Sequence, residues 1–456
     1  MRRYGTGVRG RRTAALVVMT LLATGALATG AQAADNPRSD EWHLDALHMP
    51  GVWQTSTGAG VTVAVIDSGV KADHPDIQGQ LLPGKDFSGL PGGVDTDTDG
   101  HGTAMVSAIV GSGKSFGGQG ATGLAPGAKV LPIKVNSSTA VSSAETLHEV
   151  SEGITYAADN GAKVISISLA MRDVDLQPSD IAAAKTAVDH AIAKGAVIFA
   201  GAGNSAQEGN PNMYPAVLPG VAAIAAVDKT GTHTSESEYG PQIALAAPGL
   251  DIYTACIDPS GYCKGHGTSF ATALTSASAA IVWQLHPGWT GNQVLRVLIE
   301  SANKPNDGSQ HSNYIGFGNV SPSKAVQYTG DPGPADVNPL VQAGIGIAPS
   351  GAPSASPSGA VTPTPAPTPT EHRATGGVPS PAKSSSSNLP LILGGALVGL
   401  LVVVGLVVVL VRRNRAGDPP APVQQGYPVS PQQQPYGDPQ QPGGQGTPPA
   451  NPYRQP

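Results

Sequence analysis

The sequence alternates between short β-branched apolar runs and longer runs with one apolar helical face. This alternation constrains the fold more than any other feature of the chain. The short runs cover residues 61–66, 164–169 and 196–200, and the longer ones cover residues 144–160 and 181–194. Strand, helix, strand and helix in series predict an α/β domain whose parallel sheet is covered by helices on both faces.

Polar residues directly follow the predicted strands. Asp67 ends the first run, Ser168–Ala170 end the second, and Gly203 and Asn204 follow the third. The carboxyl ends of parallel strands meet at one edge of a sheet, and ligands bind at that edge. We therefore expect these residues to line a functional site.

Two further segments carry the residue types that acyl transfer needs. His101 and Ser269 each follow a glycine-containing turn and open a helical run of small or apolar residues. A serine nucleophile needs a base to take its proton and a carboxylate to orient that base. We therefore predict that Asp67, His101 and Ser269 form a catalytic triad. Asn204 would add a side-chain donor to an oxyanion site near the helix N–H groups at Ser269.

The chain order Asp, His, Ser is that of the subtilisin type. Residues from about 58 to 325 resemble the subtilisin-like (S8) serine peptidases. Seven motifs carry this resemblance, in chain order: Val63–Val70 (VAVIDSGV), His74–Ile77 (HPDI), Asp99–Thr103 (DGHGT), Gly123–Pro126 (GLAP), Ala202–Asn204 (AGN), Ala247–Gly249 (APG) and Gly267–Ser269 (GTS).

The resemblance implies a three-layer α/β fold with a mainly parallel seven-stranded sheet over residues 58–327. It also implies cofactor-free endopeptidase activity on protein or peptide substrates, with Asp67, His101 and Ser269 as the triad and Asn204 as the oxyanion donor.

The resemblance further implies a substrate-binding segment made of Ser168, Leu169 and Ala170, with Gly203 beside it. Ser168–Ala170 would pair with the substrate backbone and border the S1 pocket. Ala170 stands where the family commonly has glycine, which would narrow the entrance to that pocket. This departure concerns substrate preference and does not alter the reaction.

The two ends of the chain differ from this body in composition. Residues 1–33 combine a basic start, an apolar run and a final AQA motif, which together predict a cleaved export signal. Of the 42 prolines, 25 lie in residues 331–456. Residues 328–388 are therefore predicted to be a disordered linker, and residues 412–456 a disordered tail.

Residues 389–411 predict a transmembrane helix. The stretch 391–411 contains only Leu, Ile, Val, Ala and Gly. At 1.5 Å per residue it would span about 32 Å, the thickness of a bilayer core. Three arginines follow within residues 412–415, and basic flanks stay in the cytoplasm. The export signal requires the same orientation. We expect a single-pass membrane protein with its body outside and its tail in the cytoplasm.

Only residues 34–57 separate the predicted signal from the peptidase-like body, fewer than the folded propeptide of secreted subtilisins needs. A short extension, a proline-rich linker, one C-terminal span and a short tail resemble the mycosins, membrane-anchored subtilases associated with type VII secretion. That resemblance implies secretion-complex subunits as partners. Two alternatives stay open: a scaffolding subunit whose proteolysis is dispensable, and a general cell-surface subtilase.

The remaining features of the body favour structural roles. The net charge of −6 gives no basic footprint for nucleic acid. Cys256 and Cys263 lie in a predicted exported domain, which favours a disulfide that closes a local loop. His74 and His266 are expected to be non-catalytic.

An acidic run at residues 95–99 begins like a calcium-binding EF-hand loop. The twelfth position of that loop is Val106 where a glutamate is required, so no metal site of this type is predicted. The run is expected to be a solvated acidic loop, with a looser calcium site as the alternative.

Overall fold

The computed structural model describes residues 36–138 and 141–347. Its strands are, in chain order, β1 (Thr62–Asp67), β2 (Lys85–Asp86), β3 (Lys129–Lys134), β4 (Val164–Ile167), β5 (Met171–Arg172), β6 (Val197–Gly201), β7 (Met213–Tyr214), β8 (Ala222–Val227), β9 (Ile243–Pro248), β10 (Ile252–Ala255) and β11 (Tyr262–Gly265). Its α-helices are α1 (Pro37–Asp40), α2 (Trp42–Ala46), α3 (Met49–Val52), α4 (His101–Val110), α5 (Ser115–Gly118), α6 (Ser143–Asp159), α7 (Pro178–Ala193), α8 (Thr268–Leu285), α9 (Gly291–Ser301), α10 (Pro322–Ala325) and α11 (Pro339–Gln342).

A seven-stranded sheet forms the centre of the described residues. Its strand order is β2-β3-β1-β4-β6-β8-β9, and every neighbouring pair in it is parallel. The expected α/β class with a mainly parallel sheet is confirmed. Two separate antiparallel pairs, β10 with β11 and β5 with β7, lie outside this sheet.

Helices cover both faces of the sheet, and side chains alternate between them along each strand. In β1, Val63 and Val65 belong to the apolar cluster that includes residues of α4 and α8. Ala64 and Ile66 belong to the cluster on the other face, with residues of α6 and α7. Because both faces are buried, the strand is continuously apolar, as the sequence pattern indicates.

The predicted helices and strands occur with small shifts at their ends. Helix α6 buries one face at helical spacing, as predicted. Helix α7 begins at Pro178, three residues before the predicted start, because a proline in the first turn and a capping box between Gln177 and Asp180 fix that end. Strand β4 ends at Ile167, before the predicted end at Leu169.

Residues 36–57 pack on the body. Trp53 donates its indole N–H to the Leu124 carbonyl over 2.8 Å, and Leu44 and Met49 are fully buried in the core. The short helices α1 to α3 thus extend the folded domain toward the N-terminus.

The predicted start of the disordered linker at residue 328 is wrong, because the chain stays packed on the body through residue 347. Arg296 of α9 donates to the Pro332 carbonyl over 2.7 Å and to the Val337 carbonyl over 2.9 Å. Leu340 is fully buried, and Ile347 donates its N–H to the Val217 carbonyl over 2.7 Å. The arginine satisfies carbonyls of a proline-rich segment, which is why composition alone did not reveal this order.

Within residues 36–138 and 141–347, no helix is both long enough and apolar enough to cross a membrane. The predicted span at residues 389–411, the signal at residues 1–33 and the tail at residues 412–456 all lie outside the described residues.

Candidate active site

Asp67 and His101 are in direct contact at the carboxyl edge of the sheet. Asp67 is the last residue of β1, and His101 is the first residue of α4. The His101 Nδ1 lies 2.8 Å from the Asp67 Oδ1, and both side chains are buried. The same carboxylate oxygen accepts the Ser68 N–H over 2.8 Å. The acid and the imidazole therefore hold one another in a fixed orientation.

The electrostatic surroundings favour a protonated imidazole. Burial alone would lower the pKa of His101, but the charge and hydrogen bond of Asp67 outweigh it, with help from Asp99 and Asp97. The net result is a raised pKa for His101. An imidazole in this environment accepts a proton readily, which is what a general base requires.

Asp97 positions the start of α4 and is not the solvated residue that the sequence predicts. Its side chain is buried and accepts five hydrogen bonds. Two come from the hydroxyls of Ser68 and Thr103, and three come from the backbone N–H groups of Asp99, Gly100 and Thr103. Because helix N-termini carry unpaired N–H groups, a buried carboxylate there is stabilised. Both carboxylate oxygens of Asp97 are thereby occupied by protein donors.

Ser269 lies in the first turn of α8 and contacts the end of β4. Its Oγ donates to the Ser168 carbonyl over 3.2 Å, and the Ser168 hydroxyl donates back to the Ser269 carbonyl over 3.1 Å. The first bond engages the Ser168 carbonyl and the second the Ser168 hydroxyl, directly after the end of β4 at Ile167.

The strand register places Asp67 and Ser168, the hydrogen-bond partners of His101 and Ser269, at neighbouring strand ends. Ile66 of β1 is paired with Ile167 of β4, so Asp67 and Ser168 follow at adjacent strand ends. Neighbouring strands lie about 4.8 Å apart. His101 is bound to Asp67 and Ser269 to Ser168, and helices α4 and α8 pack against each other.

Asn204 lies three residues beyond the end of β6 and is oriented by α8. Its Oδ1 accepts the Thr268 backbone N–H over 2.8 Å and the Thr268 hydroxyl over 3.1 Å. Both Thr268 donors face the amide oxygen of Asn204. The amide NH₂ of Asn204 therefore points away from Thr268. Asn204 is exposed at the surface, as a side-chain donor to a bound substrate must be.

Gly267 provides the space that this arrangement needs. Its φ of 116° lies in the left-handed region that favours glycine. A Cβ at this position would come within 2.8 Å of the Asn204 Nδ2. Any side chain here would displace the amide that the site presents.

The predicted substrate-binding residues form one border of the site. Ser168 is buried, Leu169 is half-buried and Ala170 is exposed. Gly203 is buried and donates its N–H to the Thr268 hydroxyl over 3.2 Å. The segment Ser168–Ala170 and the loop at Gly203 therefore flank Ser269 from the neighbouring strands β4 and β6.

A cavity of about 900 Å³ lies on the other border, next to His101. Phe270, which follows Ser269, and His266 contribute to its wall. The His266 Nδ1 lies 2.9 Å from the Glu236 carboxylate, and this hydrogen bond raises the pKa of His266 despite its partial burial. His266 is therefore engaged by Glu236 and lies beside the site.

His74 and the two cysteines hold the loop between β10 and β11, and part of this loop lines the cavity. The His74 Nε2 lies 2.9 Å from the Gly261 carbonyl, within the loop between β10 and β11. Cys256 and Cys263 form a disulfide across this loop, with Cα atoms 5.9 Å apart. Both contacts support the structure around the cavity.

Two buried carboxylates near the site were not predicted. Asp97 could have been found, because an aspartate four residues before His101 is spaced to reach the N–H groups of a helix start. Glu238 carries no such signal, because its contacts join the segment before β9 to the loop after β6.

A buried Asp–His pair, a serine at a helix start and an exposed amide beside it define the class of subtilisin-type serine proteases. Residues 58–318 match the model of the Subtilase family. The chain belongs to this family, whose members of known activity are serine endopeptidases.

Relatives and solved structures agree with this assignment. Thermitase of Thermoactinomyces vulgaris is 34% identical over 299 residues, which are 64% of this chain and 97% of thermitase. A structure described as the serine protease MycP1, an essential component of the type VII (ESX-1) secretion system, superposes with a TM-score of 0.56 at 29% identity, over 65% of this chain and 90% of that one. The structure of MycP3 protease from the type VII (ESX-3) secretion system superposes with a TM-score of 0.55 at 30% identity, over 64% of this chain and 89% of that one.

Proposed function

We propose that this protein is a membrane-anchored serine endopeptidase with an extracytoplasmic body, in which Asp67, His101 and Ser269 cleave peptide bonds. The observation that carries the proposal is the 2.8 Å contact between the His101 Nδ1 and the Asp67 Oδ1, with Ser269 held at the adjacent strand end. This arrangement supplies a base, its orienting carboxylate and a nucleophile.

The reaction begins with transfer of the Ser269 hydroxyl proton to the His101 Nε2 as the oxygen attacks the substrate carbonyl. Because Nδ1 is engaged by Asp67, Nε2 is the ring nitrogen that takes this proton. The imidazolium then gives the proton to the leaving amine, and the acyl-enzyme forms. Water activated by the same histidine hydrolyses the ester and restores the Ser269 hydroxyl.

Negative charge that develops on the substrate oxygen is stabilised by two donors. One is the Asn204 amide NH₂, whose orientation follows from the Thr268 bond to its oxygen. The other is the Ser269 backbone N–H in the first turn of α8, where the helix dipole adds to the stabilisation.

Two observations support a mycosin-like role. The described body superposes on MycP1 and MycP3, which are described as components of type VII secretion systems. The sequence outside the described residues combines a predicted export signal, a proline-rich segment and one apolar run followed by arginines. On this proposal the body cleaves protein substrates outside the membrane, next to secretion-complex subunits.

Labelling with a fluorophosphonate tests the chemistry. The parent protein is expected to be labelled, and Ser269→Ala is expected to abolish labelling. Ser276→Ala is the matched control, because this serine lies buried on the same helix. Retained labelling of Ser269→Ala would contradict the assignment of the nucleophile.

Complementation separates proteolysis from scaffolding. If the Ser269→Ala variant restores secretion in a deletion strain, the chemistry is dispensable and the scaffolding alternative is favoured. If secretion is normal without the gene, a general cell-surface subtilase is favoured. Protease added to intact cells tests the topology: it should remove the body and spare an epitope placed after residue 415.

A further inference from the structure

The loop that carries Asn204 is held by a buried carboxylate that the triad does not use. Glu238 is fully buried, and its Oε1 accepts the Ser205 backbone N–H over 2.8 Å. Its own backbone N–H donates to the Gly203 carbonyl over 3.1 Å. The two hydrogen bonds engage the residues immediately before and after Asn204.

The segment just before Glu238 adds a third contact to the same loop. Ala206 donates its N–H to the Glu236 carbonyl over 3.1 Å. The segment 236–238 therefore fixes residues 203–206 along their length, while Thr268 fixes the side chain of Asn204 from the opposite side. Between these two supports, the Asn204 amide has one orientation.

The burial of Glu238 carries an energetic cost that its contacts with the loop offset only in part. The second oxygen, Oε2, is buried and has no hydrogen-bond partner within the described residues. Burial raises the pKa of Glu238 to about 7 in spite of the Ser205 hydrogen bond. A buried carboxyl that is incompletely paired is destabilising, and such groups concentrate at functional sites.

Glu238 also packs tightly against the loop. A Cβ added to Gly203 would come within 2.5 Å of the Glu238 Oε2 and 2.7 Å of the Met213 Cγ. The φ of 113° at Gly203 lies in the left-handed region, so glycine fits here for two independent reasons. The carboxylate and the loop backbone are thus complementary in shape.

We propose that Glu238 is the positioning residue for the oxyanion donor Asn204, acting by fixing the Gly203–Ser205 backbone. It does not touch the substrate. Its removal lets the loop sample other conformations, so the amide is displaced from the developing oxyanion while substrate binding elsewhere is preserved. This inference rests on the proposed role of Asn204 in catalysis.

The test measures the rate of fluorophosphonate labelling of the full-length protein in membranes, because the phosphonyl oxygen occupies the oxyanion site. Complete loss of an oxyanion donor costs about 10²–10³-fold. For Glu238→Ala we expect a decrease in the maximal labelling rate of about 10- to 100-fold, with half-saturating probe concentration changed less than about twofold. Glu238→Gln keeps a carbonyl acceptor for Ser205 and should restore most of the rate.

A double-mutant cycle distinguishes positioning from general support. If Glu238 acts through Asn204, Glu238→Ala should cost less than about threefold in an Asn204→Ala background. Equal losses in both backgrounds, or no loss in the parent background, would overturn the proposal. If Glu238→Ala does not accumulate, Glu238→Asp serves instead. The aspartate side chain is one methylene too short to reach the Ser205 N–H, so the maximal labelling rate should decrease by the same factor.

Glu41 offers a matched control. It is another buried glutamate that accepts a backbone N–H, from Thr122 over 2.6 Å, and its second oxygen is also unpaired within the described residues. Thr122 lies beside the C-terminal end of α4, about 15 Å along the helix from His101. Glu41→Gln should leave the labelling rate unchanged. An unlabelled parent protein would overturn the proposed function as a whole, whereas a labelled parent with unaffected Glu238 variants overturns this inference alone.

Discussion

Thr268 donates its backbone N–H to the Asn204 Oδ1 over 2.8 Å. This bond joins the start of α8, which carries the proposed nucleophile Ser269, to the loop after β6, which carries the proposed oxyanion donor Asn204. Because the amide oxygen is bound by the residue that precedes Ser269, the amide NH₂ is turned away from Thr268. The helix start and the loop are thereby linked directly by a hydrogen bond.

Replacing Asn204 should impair the chemical step more than binding. Asn204→Ala removes one donor to the oxyanion, and a decrease in kcat of about 10²–10³-fold is expected with little change in KM. Asn204→Asp should be at least as damaging, because a negative charge would face the developing oxyanion. Steady-state kinetics on a peptide substrate measure both. An increase in KM at constant kcat would contradict the oxyanion role.

Replacing Asp67 should change both the rate and its pH dependence. Asp67→Asn removes the charge that raises the pKa of His101, so that pKa should fall. The acid limb of kcat/KM, which reports deprotonation of His101, is then expected to move to lower pH. The rate itself should fall by about 10⁴-fold, because the amide NH₂ donates to Nδ1 and holds the imidazole in the tautomer whose Nε2 is already protonated. A pH profile with an unmoved acid limb would contradict the assignment of His101 as the base.

Replacing Asp97 should destabilise the domain and displace His101. Asp97→Ala leaves five donors without their acceptor, four of them buried, and the free energy of unfolding should fall by about 3 kcal/mol or more. Asp95→Ala is the control, since Asp95 is exposed in the same loop. Urea unfolding in a Ser269→Ala background, which prevents self-digestion, measures the difference. Equal stability of the two variants would contradict the proposed role of Asp97.

The N-terminal extension should make stability depend on pH through Glu41. Burial raises the pKa of Glu41 from 4.5 to about 8. Between these two pH values the carboxyl of Glu41 is deprotonated in the unfolded chain and protonated in the folded chain. The contribution of Glu41 to stability is therefore fully present below pH 4.5 and is lost as the pH rises to 8. The loss is at most about 5 kcal/mol. Thermal unfolding at pH 5 and pH 8 should show a smaller decrease in Tm for Glu41→Gln than for the parent. The same decrease in both proteins would exclude Glu41 as its source.

Much of the active site could be predicted from local patterns. His101 and Ser269 each lie in a short motif that opens a helix, and Asp67 ends a buried strand. These features depend on residues within one turn or one strand, so spacing along the chain reveals them. Packing of residues 328–347 could not be predicted in the same way, because it depends on Arg296 and on Val217, which lie far away in sequence.

The sequence by itself determined the parallel α/β class, the helices that open near His101 and Ser269, and the identity of the triad candidates, because periodicity and turn residues act locally. Only the tertiary structure decided the buried role of Asp97, the orientation of Asn204 and the contact of Glu238 with its loop. The physical reason is that a buried polar group is stable only where distant segments supply its hydrogen-bond partners. Such partners are fixed by the fold, and the spacing of residues along the chain does not encode them.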